Sequence, residues 1–193
     1  MHITGVILAG GLSQRMGQDK ATLQRNGQSM LAFGCELLQA LPIQDIVINA
    51  NVSHHTPYEV IGDDYPKCGP LSGLHTVMKA LQHRTDALLC IPIDQPLMTT
   101  EPLLELIKAG QSSHHVVHFD QQPLPIWLPM QIAVLSELES RLTQPQQSKG
   151  QYRLGDFCRW AKAMILPVLD PSIWLNTNTP KQWQEALNAA PKN

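Results

Sequence analysis

Ile3-Thr4-Gly5-Val6-Ile7-Leu8-Ala9-Gly10-Gly11-Leu12-Ser13-Gln14-Arg15-Met16-Gly17-Gln18-Asp19-Lys20 is the stretch on which the fold class turns. Ile3 to Leu8 is a short apolar run that breaks at two glycines, the pattern of a buried strand feeding straight into a loop. Downstream, the apolar spacing becomes helical from Met30 to Leu41, where Pro42 stops it, and strand-like again from Asp45 to Ala50. The alternation continues. A strand is expected at Tyr58–Ile61, a helix at Leu71–Leu81 and a strongly apolar strand at Ala87–Ile93. A helix capped by Thr100 should then run to Ala109, with Gly110 just past its end.

Two strands are predicted at His115–Phe119 and Pro125–Leu128, then helices near Gln131–Leu142 and Gln151–Ala163. A last strand at Met164–Leu169 precedes a helix capped by Thr179 and opened by Pro180, and the polar stretch Thr143–Gly150 reads as a loop. Strands alternating with helices predict an α/β fold, a mostly parallel sheet covered by helices on both faces. Ligands of such sheets sit beyond the strands' carboxyl ends. Gly10, Gly11, Asn49, Asp63 and Asp94 all fall at or just past such ends.

At 193 residues with 43% apolar content, one domain is expected, with no linker or internal repeat. The balance of 14 basic against 16 acidic residues leaves no global positive field for nucleic acid or an anionic membrane. Any phosphate must therefore be met locally. Cys35, Cys68, Cys90 and Cys158 lack the close pairing of zinc or redox motifs. No basic segment precedes Val6-Ile7-Leu8, and no apolar run approaches the roughly 18 residues of a membrane span. The expected compartment is the cytoplasm.

The glycine loop is suited to phosphate chemistry, the alternative being a tight strand-to-helix turn whose cations are solvated surface groups. Glycines let main-chain N–H groups come close to a nucleotide, while Arg15 and Lys20 can neutralise a triphosphate. It is neither a Walker A loop nor the dinucleotide fingerprint. Asp94 ends the most apolar strand, so its carboxylate needs a partner, and a hard divalent cation facing a triphosphate supplies one. The alternative for Asp94 is a cap on the turn before Pro96.

Leu8-Ala9-Gly10-Gly11, Ser13, Arg15-Met16-Gly17 and Asp19-Lys20 together resemble the signature of the molybdenum cofactor guanylyltransferases, the MobA family of Rossmann-like nucleotidyltransferases. The resemblance continues in order through Asn49-Ala50-Asn51, Gly69-Pro70-Leu71-Ser72-Gly73, Pro92-Ile93-Asp94-Gln95-Pro96 and Asn176-Thr177-Asn178-Thr179-Pro180. It implies a single three-layer domain with a nucleotide-binding half at 1–100 and an acceptor half at 101–193. It also implies that Leu8, Ala9, Gly10, Gly11, Lys20, Asn49 and Asp63 meet GTP, with Asp64 an adjacent alternative to Asp63. Asp94 would hold Mg2+ or Mn2+. The reaction implied is attack by a molybdopterin phosphate on the α-phosphorus of GTP, aided by Lys20 and Arg15, with pyrophosphate leaving. Arg153, Asn176 and Asn178 would lie near the pterin, although relatives often carry Arg where this chain has Tyr152.

Transient contacts with cofactor-synthesis and molybdoenzyme-maturation proteins follow from the same resemblance. Two rival readings remain at this stage: a relative using CTP or another acceptor, and a non-catalytic paralogue that only holds nucleotide or pterin. His54-His55 and His114, His115 and His118 do not read as a metal site, because the latter region is strand-like. Trp127, Trp160, Trp174 and Trp183 read as packing anchors rather than base-stacking platforms.

Overall fold

The computed structural model describes residues 1–10, 19–144 and 152–189. A seven-stranded sheet runs through it in the order β5-β4-β1-β6-β8-β7-β9. The strands are β1 (Ile3–Leu8), β4 (Asp45–Asn49), β5 (Glu59–Ile61), β6 (Ala87–Pro92), β7 (Val117–Phe119), β8 (Gln122–Pro129) and β9 (Met164–Leu166). Only β8 runs against its neighbours, so the sheet is mostly parallel as expected. The helices are α1 (Met30–Gln39), α2 (Pro70–Leu81), α3 (Thr100–Ser113), α4 (Ile132–Thr143), α5 (Leu154–Trp160) and α6 (Pro180–Ala189).

Period-two alternation divides the core between the two faces of the sheet. Ile3, Ile7, Ile48, Leu89 and Ile91 pack with α1 and α3 on one side. Val6, Leu8, Val47, Leu88 and Cys90 pack with α2, α4 and α5 on the other. The result is a three-layer α/β sandwich.

Where the structure departs from the pattern, the cause is local. Gly110 does not end α3, which begins after Thr99 rather than Thr100 and continues to a left-handed His114 (φ 58°). A Cβ on Gly110 would lie 2.3 Å from the Trp127 indole, so this glycine is a packing notch inside the helix. α5 is shorter than expected: Arg153 precedes its first turn, and Lys162 turns left-handed (φ 48°) to end it. β9 stops at Leu166, where Pro167 removes the next backbone donor. A small hairpin, β2 (Gln24–Arg25) with β3 (Gln28–Ser29), was not anticipated. Its Asn26-Gly27 turn, with φ of 50° and 79°, is a hairpin signal available in the sequence.

His118 lies in β7 with its ring Nδ1 2.7 Å from the Phe119 carbonyl, while His114 ends a helix, so the two share no face. No group of three or more His, Cys, Asp or Glu side chains suited to a metal is present among the described residues. Trp127 and Trp174 are buried, whereas Trp160 is half-exposed. No described helix is long and apolar enough to cross a membrane.

Candidate active site

The register of the parallel strands builds the site. Leu8 at the end of β1 is level with Asn49 of β4 on one side and Pro92 of β6 on the other, and Asn49 is level with Ile61 of β5. One row of strand ends thus forms a shelf. β1 is also where the chain reverses its direction of travel across the sheet, which opens a crevice between neighbouring crossovers. A cleft of about 280 Å3 occupies that place, lined by Leu8, Ala9, Gly10, Lys20, Asn49 and Asp63, and by Gly69, Pro70, Pro92, Ile93, Asp94 and Leu124. A larger polar hollow of about 480 Å3, between Asp45, Tyr58 and Arg84, lies at the opposite ends of these strands.

On one wall, Asp19 and Lys20 divide the work of a dipeptide. Asp19 caps a single 3-10 turn, Lys20–Thr22, its Oδ1 accepting from the Ala21 N–H at 3.0 Å. Buried Ala21 and Leu23 anchor that turn against the core. Lys20 is thereby held at the cleft, where its Nζ donates to Asp94 Oδ2 at 2.8 Å and to Asn178 Oδ1 at 2.7 Å. The two ionic side chains are 15% and 22% exposed, so their charges offset each other in a largely desolvated place. Asp94 itself is held from behind: Thr177 donates to its carbonyl through both its N–H (2.9 Å) and its Oγ1 (3.1 Å).

On the facing wall, Asn49 is almost fully buried and donates from Nδ2 to Asp63 Oδ1 and to the Ile61 carbonyl, both at 3.0 Å. Asn51 completes a reciprocal pair, donating to Asp63 Oδ2 at 2.8 Å and accepting the Asp63 N–H at 2.7 Å. Gly10 and Gly73 leave room for this network. A Cβ on Gly73 would stand 2.2 Å from Asn49 Oδ1, and one on Gly10 would press on both Asn49 and Asp63. Gly69 adopts φ 67°, a region that favours glycine, and turns the chain into Pro70 at the start of α2.

Most of the expected site residues converge. Leu8, Ala9, Gly10, Lys20, Asn49, Asp63 and Asp94 all line one cleft, and Asp63 rather than Asp64 faces it. Asp64 points instead toward α2, with Lys79 Nζ 3.3 Å from its Oδ2. Asn178 reaches the cleft through Lys20. Asn176 and Arg153 are not part of the lining, and Arg153 occupies the cap position of α5. Tyr152 beside it has its phenol raised above the usual value, by burial first and then by the Cys68 thiol, next to Gly69. Gly11 and Arg15 lie outside the described residues.

Asn51, Ser72, Thr76 and Thr177 support the site without being candidates from the sequence: the first two and Thr177 lie inside the motifs quoted above, while Thr76 lies outside them and gave no signal. The His54 side chain, 7% exposed, comes near the same wall, with Nε2 3.8 Å from Asp19 Oδ2.

The profile of the MobA-like NTP transferase domain matches residues 5–160. The chain belongs to this family. MobA-like NTP transferases are nucleotidyltransferases, and this chain is one. It is 32% identical over 188 residues to a protein of Xanthomonas euvesicatoria pv. vesicatoria (strain 85-10) named molybdenum cofactor guanylyltransferase, covering 97% of this chain and 96% of the relative. A second protein of that name, from Shewanella frigidimarina, is 31% identical over 196 residues, covering 95% of each. Among solved structures, molybdopterin-guanine dinucleotide biosynthesis protein A of Archaeoglobus fulgidus shares the fold, with a TM-score of 0.74 at 22% identity over 96% of this chain and 97% of that one. A manganese complex of Rv0371C from Mycobacterium tuberculosis does likewise, with a TM-score of 0.71 at 18% identity over 98% and 100%.

Proposed function

We propose that this MobA-like transferase moves GMP from GTP onto the terminal phosphate of molybdopterin, releasing pyrophosphate and forming the guanine dinucleotide form of the molybdenum cofactor. The observation that carries this reading is the opposition of Lys20–Asp94 and Asn49–Asp63 across one cleft floored by Gly10. One wall suits phosphate and cation, the other a base. Kinship with guanylyltransferases along almost the whole chain supports the choice of nucleotide and acceptor.

The Asp63 carboxylate, held on both oxygens by Asn49 and Asn51, offers acceptors in a fixed plane. Guanine presents N1–H and N2–H side by side, which a carboxylate receives in pairs. The corresponding edge of cytosine carries acceptors at N3 and O2, which the same carboxylate repels. The guanine therefore seats against Asp63, and the triphosphate runs over Gly10 toward Lys20, with Arg15 as a second cation.

Asp94 would hold a divalent metal, Mg2+ or Mn2+, since a single carboxylate plus phosphate oxygens and waters makes a sufficient set. Such an ion neutralises charge on the phosphates. With nucleotide present, Lys20 exchanges the Asp94 carboxylate for a phosphate oxygen, while Asn178 keeps its ammonium in the cleft. An oxygen of the molybdopterin phosphate forms a bond to the α-phosphorus as the bond to the α–β bridging oxygen breaks, and pyrophosphate carries off the electron pair. The acceptor is already an anion, so no general base is required. Alignment and charge neutralisation do the rest. Residues 1–100 supply the nucleotide half, and Arg153, Asn176 and Asn178 supply the acceptor half.

The protein works on these small molecules in the cytoplasm, passing its product on through transient contacts with other proteins of cofactor synthesis and molybdoenzyme maturation. Incubation with magnesium, molybdopterin and each of the four ribonucleoside triphosphates tests the assignment through pyrophosphate release. Release with GTP, dependent on molybdopterin, is expected. Release with CTP in place of GTP, or none with any nucleotide, overturns it.

A further inference from the structure

Residues 63, 64 and 65 have their backbone N–H groups received by three side chains in succession. Asp63 N–H donates to Asn51 Oδ1 at 2.7 Å, Asp64 N–H to Thr76 Oγ1 at 2.9 Å, and Tyr65 N–H to Ser72 Oγ at 3.2 Å. Loop amides ordinarily turn to water. Here all three are engaged by side chains, so the peptide path at Asp63 is fixed and none of these amides is left for a ligand.

Two of the three acceptors come from one helix. Ser72, Thr76 and Lys79 stand at i, i+4 and i+7 of α2, a single stripe of the helix surface. Ser72 and Thr76 are buried, where a hydroxyl is tolerated only if it is bonded. Lys79 extends the stripe by reaching Asp64 Oδ2 at 3.3 Å. His75 lies between them, its ring edge-on to Tyr65 with centroids 5.4 Å apart. The same helix carries Gly73, whose missing side chain admits Asn49. One helix face thus receives both the strand-end residue that grips Asp63 and the backbone that follows it.

We propose that Ser72 and Thr76 are positioning residues for base discrimination, fixing the backbone that carries Asp63 so that its carboxylate, gripped by Asn49 and Asn51, accepts both donors of guanine at once. This rests on the reading of Asp63 as the group that meets the base. A carboxylate shifted with its backbone still accepts one N–H, but it gains little from the second. Selectivity for the 2-amino group is then the property most sensitive to Thr76 and Ser72, more than turnover.

The test compares GTP with inosine triphosphate, which keeps N1–H and lacks the 2-amino group, in steady-state pyrophosphate release. Thr76→Val preserves shape and removes the acceptor, and Ser72→Ala removes a single oxygen. Each is expected to lower the GTP-over-ITP preference in kcat/KM by about tenfold, the effect of one lost hydrogen bond, through KM with kcat held within about twofold. Thr76→Ser retains the acceptor and should restore the preference. A purely structural role would lower the melting temperature and leave the nucleotide ratio unmoved, and that result overturns the proposal. Asp63→Asn is measured alongside. If it leaves the ratio intact, the reading of Asp63 itself fails; if it abolishes the ratio while Thr76→Val and Ser72→Ala do not, only the positioning role fails.

Discussion

Lys20 Nζ lies 2.8 Å from Asp94 Oδ2 although 74 positions of sequence separate the two residues. Each is the other's counter-charge in the free protein, and in the proposed reaction each takes a different partner, phosphate for Lys20 and metal for Asp94. On that proposal the pair serves both folding and catalysis, and the two roles can be separated.

Lys20→Met and Asp94→Asn are each expected to lower kcat by about 100- to 1,000-fold, the usual effect of removing one group that stabilises transition-state charge. Each single change leaves an uncompensated partner and should also lower the melting temperature. The double variant should recover part of that stability and none of the activity, because removing both charges relieves the unpaired one. Recovery of turnover in the double variant would contradict the catalytic assignment.

Two glycine-to-alanine changes should separate the site from the scaffold. In Gly73→Ala the new methyl would meet Asn49 Oδ1, while in Gly110→Ala it would meet the Trp127 ring. Both overpack a filled core, at a cost of about 1–3 kcal/mol. Only Gly73→Ala displaces the asparagine that grips Asp63, so only it should raise KM for GTP. Chemical denaturation alongside nucleotide titration reads both effects, and equal KM changes in the two variants would refute the link from Gly73 to the base wall.

Native alkylation should modify Cys68 ahead of the other three cysteines. Burial pushes the Cys35 thiol up to about 11 and the Cys158 thiol to about 12, and raises that of fully buried Cys90 further. Cys68 is only half-buried and adjoins Gly69 on the cleft wall. Peptide mapping after brief iodoacetamide treatment is expected to find the label at Cys68, and GTP should slow its appearance.

Stability should fall as the solution is acidified below about pH 6.5, the ordinary value for histidine. Burial holds the His75 imidazole below that value, opposed by Glu139 and Asp64 and reinforced by Lys79. The unfolded chain then binds this proton more readily than the native one, so the stabilising effect of His75 is complete above the unfolded value and is lost as pH drops toward the lowered native one. Denaturant midpoints measured across this range should show that loss in the parent and a shallower one in His75→Leu. Identical slopes would mean that other groups govern it.

The chemistry of the cleft was far more legible than its support. Gly10, Asn49, Asp63 and Asp94 could be picked out because a polar or flexible residue at the end of an apolar run has few structural reasons to be there, while Lys20 stood out as a cation of the glycine loop and through the family resemblance. Parallel pairing then collects all such ends on one side. Ser72 and Thr76 gave no comparable sign, since isolated hydroxyls within a helix are common and their value lies in amides of a loop that only the folded chain brings near. Gly110 misled for a related reason: a glycine late in a helical pattern usually signals a terminus, and only the position of Trp127 reveals it as a notch. The hairpin at Asn26-Gly27 was readable from its turn alone, because that dipeptide favours the left-handed angles it adopts. Arg153 and Asn176 are not among the residues lining the cleft, although Thr177 and Asn178 beside Asn176 meet Asp94 and Lys20.

Thr177 grips the peptide of a residue made 83 positions before it. The glycine turn, the lysine and the acidic strand end all emerge from the ribosome well ahead of that grip and of Asn178. The wall that holds Asp94 and Lys20 is thus built from both halves of the chain and exists only where they have folded together.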